Sequence, residues 1–274
     1  MSIQIMAIIN TSPDSFSGDG VRADDTTMLR KYIQRAIDEG ADILDIGGQS
    51  TRPGAEIIDE HEEINRVIPA ITLARQLTNL PLSVDTFKPK VAKAALKAGA
   101  SIINDITGFK NPEMIAAVKD AGCQVVIMHM RGTPQTMSSL TDYPNGVMEE
   151  VKTFLLAQAE KLKEAGVKKE NIILDPGIGF AKTAMQSFEL TKQLDELSGH
   201  GYKILYGASN KSFLGKALAI NDGVAPVEER AAATAVVQSY AMLHGADIIR
   251  VHDVKAAVQE RTIIESLNGK EIKL

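Results

Sequence analysis

Ile172-Ile173-Leu174-Asp175-Pro176-Gly177-Ile178-Gly179-Phe180 is the stretch that makes the chain readable, because an aliphatic run stops abruptly on a carboxylate. A strand apolar on both faces belongs in a parallel sheet covered by helices, and its last residue points beyond the sheet's carboxyl end. Pro176-Gly177 then forces a turn that cannot prolong the strand. Taken alone, Asp175 could as well cap the next helix. The punctuation recurs, however. Leu82-Ser83-Val84-Asp85 ends on a carboxylate, and Ser101-Ile102-Ile103-Asn104-Asp105 ends on an amide and a carboxylate. Residues 124–128 run into His129, and residues 247–251 into His252.

Outward from these strands the chain alternates. Residues 3–9 read as a first strand ending at Asn10, followed by a long polar loop through Gly20. Residues 26–39 show helical spacing at Leu29, Tyr32, Ile33, Ala36 and Ile37, closed by Gly40. A second strand over 42–46 enters the polar loop Gly47 to Ala55, and a helix over 60–77 follows. Further helices are expected over 88–97, 112–121, 146–165, 185–197, 227–244 and 254–267, with a strand over 202–206 and a loop from Gly207 to Phe213. Eight strand-helix units at a spacing of roughly 35 residues match a (β/α)8 TIM barrel. An open doubly wound sheet would need fewer strands and a GxGxxG turn, and none follows Ile9.

The chain has 274 residues, 44% hydrophobic and 24% charged, so it can bury a large core without disulfides. No linker, charge block or low-complexity segment divides it, and a single domain over residues 1–274 is expected. A net charge of -5 without any Lys/Arg run argues against nucleic acid or an anionic membrane as partner. The single cysteine, Cys123, lies beside an apolar strand and reads as a buried structural thiol in a reducing, cytoplasmic compartment. The start Met1-Ser2-Ile3-Gln4 lacks the features of a leader peptide, and no apolar run reaches membrane-spanning length.

In a barrel all strand ends face one mouth, which brings Asn10, Asp85, Asn104, Asp175, Lys211, Arg250 and His252 to one cavity. Two carboxylates, an amide and a lysine suit a flat polar heterocycle carrying donors and acceptors along its edge. Arg250 and His252 alternate along the last strand and point the same way, offering a fork donor and a second donor to phosphate or diphosphate. Asn10 could share that anion's metal ion. Each residue also has a plainer reading: Asp85 and Asp175 as helix caps, Arg250 paired with Asp253, His252 as a hydrogen-bonded rim residue. His129 keeps such a structural assignment, and Met128, Met130 and Met137 read as packing residues. Treated as an extension of strand seven, Asn210 and Lys211 point in opposite directions, with only Lys211 facing the cavity.

Several blocks together resemble the dihydropteroate synthases of the pterin-binding family. They are Asn10 with Pro13-Asp14-Ser15-Phe16, Asp45-Ile46-Gly47-Gly48-Gln49-Ser50-Thr51-Arg52-Pro53-Gly54, Ser83-Val84-Asp85-Thr86, Ile103-Asn104-Asp105, Met128-His129-Met130-Arg131-Gly132-Thr133-Pro134, the stretch quoted at the outset, Lys211-Ser212-Phe213 and Arg250-Val251-His252-Asp253-Val254. The resemblance implies a transferase of folate biosynthesis, a sulfonamide target, joining 4-aminobenzoate to 6-hydroxymethyl-7,8-dihydropterin diphosphate with release of diphosphate. It implies that Asp85, Asn104, Asp175 and Lys211 hold the pterin, and that Arg250, His252 and Asn10 hold the diphosphate and its Mg2+. Asp85, Lys211, Arg250 and His252 would be the catalytic set. The first two loops, with Asp14, Phe16, Thr51, Arg52 and Pro53, would close over the site, and Phe180, Lys211 and Ser212 would line the aminobenzoate pocket. A cytoplasmic homodimer formed through the late helices is implied as well. The chain departs from the family pattern at Ala7 and Thr11-Ser12, at Ala181 where the family has glycine, and at Asn210 where it has arginine. Two other readings share the pterin contacts: a methyltransferase domain passing a methyl group from tetrahydrofolate to a corrinoid, and a non-catalytic pterin-binding paralog.

Overall fold

The computed structural model describes residues 2–11, 26–52, 54–219 and 223–269. Its strands are β1 (Gln4–Asn10), β2 (Ile43–Gly47), β3 (Leu82–Asp85), β4 (Ile102–Asp105), β5 (Gln124–Met128), β6 (Ile172–Asp175), β7 (Lys203–Tyr206) and β8 (Ile248–Val251). They pair in parallel, in chain order, and β8 closes on β1 with Gln4 opposite Ile248. The helices are α1 (Thr26–Asp38), α2 (Glu60–Leu77), α3 (Pro89–Ala98), α4 (Pro112–Val118), α5 (Val147–Glu164), α6 (Ala184–Lys192), α7 (Asp195–Ser198), α8 (Ser212–Leu218), α9 (Ala231–Leu243) and α10 (Val254–Leu267).

Alternation along the strands builds two cores. Inward residues Met6, Ile43, Ile102, Val126, Ile173, Leu205 and Ile248 form one buried cluster that plugs the barrel. Outward residues such as Ile5, Leu44, Val84, Ile103, Leu174 and Ile249 belong to the larger cluster under the helices. Burying such a side chain contributes about 1.5–3 kcal/mol. Two residues beyond the plug, on the same inward face, stand Asp45, Asn104, Asp175 and Arg250. The apolar plug therefore carries a polar layer at the carboxyl end of the strands.

The expected helix over 185–197 is two helices, α6 and α7, and the expected start of the next at Val227 is a 3-10 turn, Val227–Glu229, ahead of α9. The stretch from Ser212, read as loop, is helix α8. Gly215 disguised it, since glycine inside a helix costs about 1 kcal/mol and argues against one. The glycine is there for space: a Cβ would stand 2.7 Å from Arg230 Nε and 2.8 Å from Ala225 O. Cys123 is buried, and burial pushes its thiol up to about 11, in keeping with a structural role. Among the described residues no helix is long and apolar enough to cross a membrane.

Candidate active site

The polar layer is tied together by one arginine. Arg250 donates from Nε to Asp45 Oδ2 at 2.7 Å and from Nη2 to Asp85 Oδ2 at 2.9 Å, while Asn104 Nδ2 donates to Asp45 Oδ2 at 3.3 Å. The guanidinium thus reaches down into the barrel, and the alternative partner, Asp253, instead caps α10 by accepting from Ala256 N at 2.9 Å. Two buried carboxylates without a counter-charge would be costlier than an arginine drawn from the rim. Asp45 is fully buried, and sequence reading passed over it. The available signal was a carboxylate inside the apolar run Ile43-Leu44-Asp45-Ile46, on the same face as the strand's end.

Asp45 Oδ1, Asp85 Oδ1, Asn104 Oδ1 and Ser83 Oγ are buried without a hydrogen-bond partner. A polar group left so costs about 1–3 kcal/mol. The carboxylate and amide oxygens in this set are acceptors, so what each lacks is a hydrogen-bond donor. Burial pushes the Asp85 carboxyl up to about 7 against the pull of Arg250, with Asp45 adding to the rise. Burial also raises Asp175, opposed by Lys211 and by the amide of Gly177. Asp105, the last residue of β4, is not part of the layer: it accepts from Thr107 N and Phe109 N at 2.7 and 3.0 Å and shapes the turn.

Beyond β6 the chain is held by a buried lysine. Asp175 Oδ1 accepts from Gly177 N at 2.7 Å, and Gly177 has φ +67 where a Cβ would meet His129 O at 2.0 Å. Lys182 Nζ donates to Phe180 O at 2.9 Å and lies 3.0 Å from His129 Nδ1. Burial lowers the proton affinity of Lys182, and burial together with Lys182 lowers that of His129. His129 is accordingly structural, as its sequence context indicated, and Lys182 ties the β5 and β6 loops behind Asp175. Met128, Met130 and Met137 pack with Ile106 and Ala181, also as read.

Lys211 Nζ donates to Ile178 O at 2.6 Å and stands 4.7 Å from the centre of the Phe180 ring. Burial lowers it to about 8, against the pull of Asp175. Its position does not come from strand geometry. β7 stops at Tyr206, Asn210 turns through φ +57, and Lys211 is the N-cap of α8 with an extended backbone. The reading of Asn210 and Lys211 as alternating strand residues is therefore corrected. Asn210 is fixed through its backbone, its N–H donating to Thr234 Oγ1 at 3.3 Å and its carbonyl accepting from Arg230 Nη1 at 2.8 Å. Ser212 opens α8 and is exposed.

At the rim, His252 Nδ1 lies 2.9 Å from Ser209 Oγ, which also accepts from His252 N at 3.2 Å. Burial, then Arg250, Arg52 and Lys211, push the imidazole down to about 3, so the ring is neutral. Thr51 and Arg52 are partly buried in the loop after β2. The base of that loop is pinned by Lys88 Nζ, which donates to Glu63 Oε2 at 2.5 Å, Gln49 Oε1 at 2.7 Å and Ile58 O at 2.7 Å. Asn10 pairs in register with Gly47, Gly47 with Asp85, and Asp85 with Asn104. A Cβ at Gly47 would be in ordinary contact with both Asn10 Oδ1 and Asp85 Cβ at 3.7 Å, so Gly47 lies between these two side chains. Asp14, Phe16 and Pro53 lie outside the described residues.

The sequence pattern of the family described as pterin binding enzyme matches residues 6–252. A dihydropteroate synthase of Synechocystis sp. is 44% identical over 264 residues, which cover 96% of this chain and 89% of that protein. The Yersinia pestis dihydropteroate synthase, solved with a sulfonamide drug, superposes with a TM-score of 0.91 at 36% identity, covering 98% of this chain and 95% of that one. The Burkholderia cenocepacia dihydropteroate synthase complexed with 7,8-dihydropteroate superposes with a TM-score of 0.85 at 42% identity, covering 97% and 91%. With matches spanning nearly its whole length, the chain belongs to the pterin binding enzyme family, where its relatives are dihydropteroate synthases.

Proposed function

We propose that this chain joins 4-aminobenzoate to 6-hydroxymethyl-7,8-dihydropterin diphosphate, giving 7,8-dihydropteroate and diphosphate for folate synthesis. The observation that carries this reading is the set of unpartnered acceptors on Asp45, Asp85 and Asn104, tied together by Arg250 and accompanied by Arg52, Lys211 and His252. A pterin edge presents N–H donors to acceptors of that kind, and its diphosphate extends toward the cations. Asp85, Asn104, Asp175 and Lys211 hold the ring. Thr51 and Arg52, in the loop after β2, face its diphosphate end, and Phe180, Lys211 and Ser212 line the aminobenzoate pocket. Asn210 is held through its backbone by Thr234 and Arg230, so its side chain is not what places Lys211.

In the reaction the bond between the pterin methylene and the diphosphate oxygen breaks, and its electron pair leaves on the diphosphate. The aniline nitrogen forms the new C–N bond and loses one proton. Asp85 and Asp175 fix the pterin so that its methylene faces the aniline, which converts an encounter of two substrates into a positioned one. Arg250 and His252 donate to the oxygens that gain charge as the bond breaks, and Lys211 adds its cation nearby. No protein nucleophile enters, and the single thiol, on Cys123, is buried.

Among the described residues no group of three or more His, Cys, Asp or Glu could hold a metal ion. The Asn10 amide oxygen at the end of β1 is the kind of donor that fits Mg2+, a hard cation that binds substrate phosphates with one or two protein oxygens and waters. Bound there with the diphosphate, such an ion would supply charge neutralisation of the leaving group. Exposed Val236 and Leu243 on α9 and Ile263 and Leu267 on α10 support a homodimer through these helices. The lone buried thiol supports a cytoplasmic location. A direct test measures diphosphate release from the pterin substrate with magnesium. Release that depends on 4-aminobenzoate and yields dihydropteroate is expected, and no product at saturating substrates would overturn the reading.

A further inference from the structure

The imidazole of His252 is neutral in a ring of cations, and a neutral imidazole carries one N–H. Which nitrogen carries it decides whether the ring offers a hydrogen or a lone pair to an anion. Ser209 is buried on the turn after β7, and no other described contact engages its hydroxyl. Its Oγ already accepts from the backbone N–H of His252 at 3.2 Å, and the same oxygen lies 2.9 Å from Nδ1. If the hydroxyl donates to Nδ1, every group is satisfied: Oγ accepts once and donates once, and the ring hydrogen sits on Nε2. In the other tautomer two N–H groups would converge on Oγ, and its hydrogen would have no acceptor among the described contacts.

We propose that Ser209 is a positioning residue that fixes His252 in the Nε2–H tautomer, so that the imidazole donates to the substrate's diphosphate. Without that hydroxyl, Nδ1 is free to take the proton, and the unprotonated Nε2 would present its lone pair to an oxyanion. The effect is expected at the charged end of the substrate, because the contact Ser209 makes is to the imidazole of His252, whereas the acceptors without partners belong to Asp45, Asp85 and Asn104. Sequence reading had no route to Ser209, since the contact joins residues 43 positions apart.

The anion part of this inference rests on the function proposed above; the tautomer does not, and the two are read separately. The ligand-free full-length chain, labelled with 15N-histidine, gives both ring nitrogens in long-range 1H–15N NMR spectra, with His252→Gln identifying the signal. The wild type is expected to show an unprotonated Nδ1 and a protonated Nε2. Ser209→Ala should move the proton wholly or partly to Nδ1, and Ser209→Thr, which restores a hydroxyl, should restore the wild-type pattern. In binding, Ser209→Ala should weaken the pterin diphosphate about ten-fold, the scale of one hydrogen bond to a charged group, and leave the pterin alcohol unchanged. A wild-type His252 protonated on Nδ1, or a tautomer that does not move in Ser209→Ala, overturns the proposal. Equal weakening of both ligands would show Ser209 to be structural. If the tautomer moves as expected but the wild type makes no dihydropteroate, the proposed reaction fails and the tautomer assignment stands.

Discussion

Asn210 holds its backbone at φ +57, a region that asparagine tolerates better than other residues with a Cβ, and glycine better still. Its N–H and carbonyl are anchored to Thr234 and Arg230, so the turn leading to Lys211 is over-determined. Substitutions should follow backbone strain. Asn210→Gly is expected to keep or slightly raise stability, Asn210→Ala to lose about 1 kcal/mol and Asn210→Val about 2 kcal/mol, in urea denaturation. Pterin affinity of the Gly variant should match the wild type in calorimetry. A Val variant as stable as the wild type would refute the strain argument. Ala181, at φ +50, accepts the same strain where the resembling sequences carry glycine, and its buried methyl packs against Met128 and Met130. At this scale the sequence was legible wherever a side chain's own strand announced it, as with Asp85, Asn104 and Asp175. It was silent where the role is set by a partner distant in the chain, as with Asp45 beside Arg250, Lys182 beside His129, and Lys88 beside Glu63.

Among the elements, the strands were readable because fully apolar runs bounded by polar residues have few alternatives, and β3, β5 and the helix α10 differ in why they were so clear. β3 and β5 end where a carboxylate or histidine replaces the aliphatic run, and α10 begins at the cap Asp253. α8 was hidden by a glycine needed for close packing, and α6 and α7 merged because apolar spacing persists across the break at Gln193 and Leu194. Periodicity says which face is apolar but not what covers it. On α9, Val236, Tyr240 and Leu243 recur at four- and three-residue steps, and on α10 Ile263 and Leu267 do the same, all at the surface. If a second copy covers this face, burying a charge there is costly. Val236→Glu combined with Leu267→Glu should convert a dimer into a folded monomer in sedimentation experiments. A wild type that sediments as a monomer at tens of micromolar would refute the dimer.

For the molecule as a whole, titratable groups shifted by burial set opposing trends of stability with pH. The folded chain raises Asp85 from 3.8 to about 7, Asp105 from 3.8 to about 6 and Glu260 from 4.5 to about 7, burial being the first cause in each. Between pH 4 and 7 the folded state therefore holds protons that the unfolded state has released, and these groups make stability fall as pH rises. His129 and His252 act the other way: both are pushed far below 6.5, His252 to about 3, so below pH 6.5 the unfolded state binds the extra protons and stability falls with acid. The wild-type curve is thus a near-balance of carboxylates and imidazoles. A single isosteric change should expose one side of it. Asp85→Asn keeps the shape of the barrel interior while removing the proton that Asp85 takes up, so the stability of the wild type relative to this variant should rise by about 3 kcal/mol as pH falls from 7 to 4. Urea denaturation of both proteins across that range measures the difference. Parallel curves would mean that Asp85 is ionised throughout, held by Arg250 more firmly than its burial opposes, and that the pterin meets a permanent carboxylate at this position.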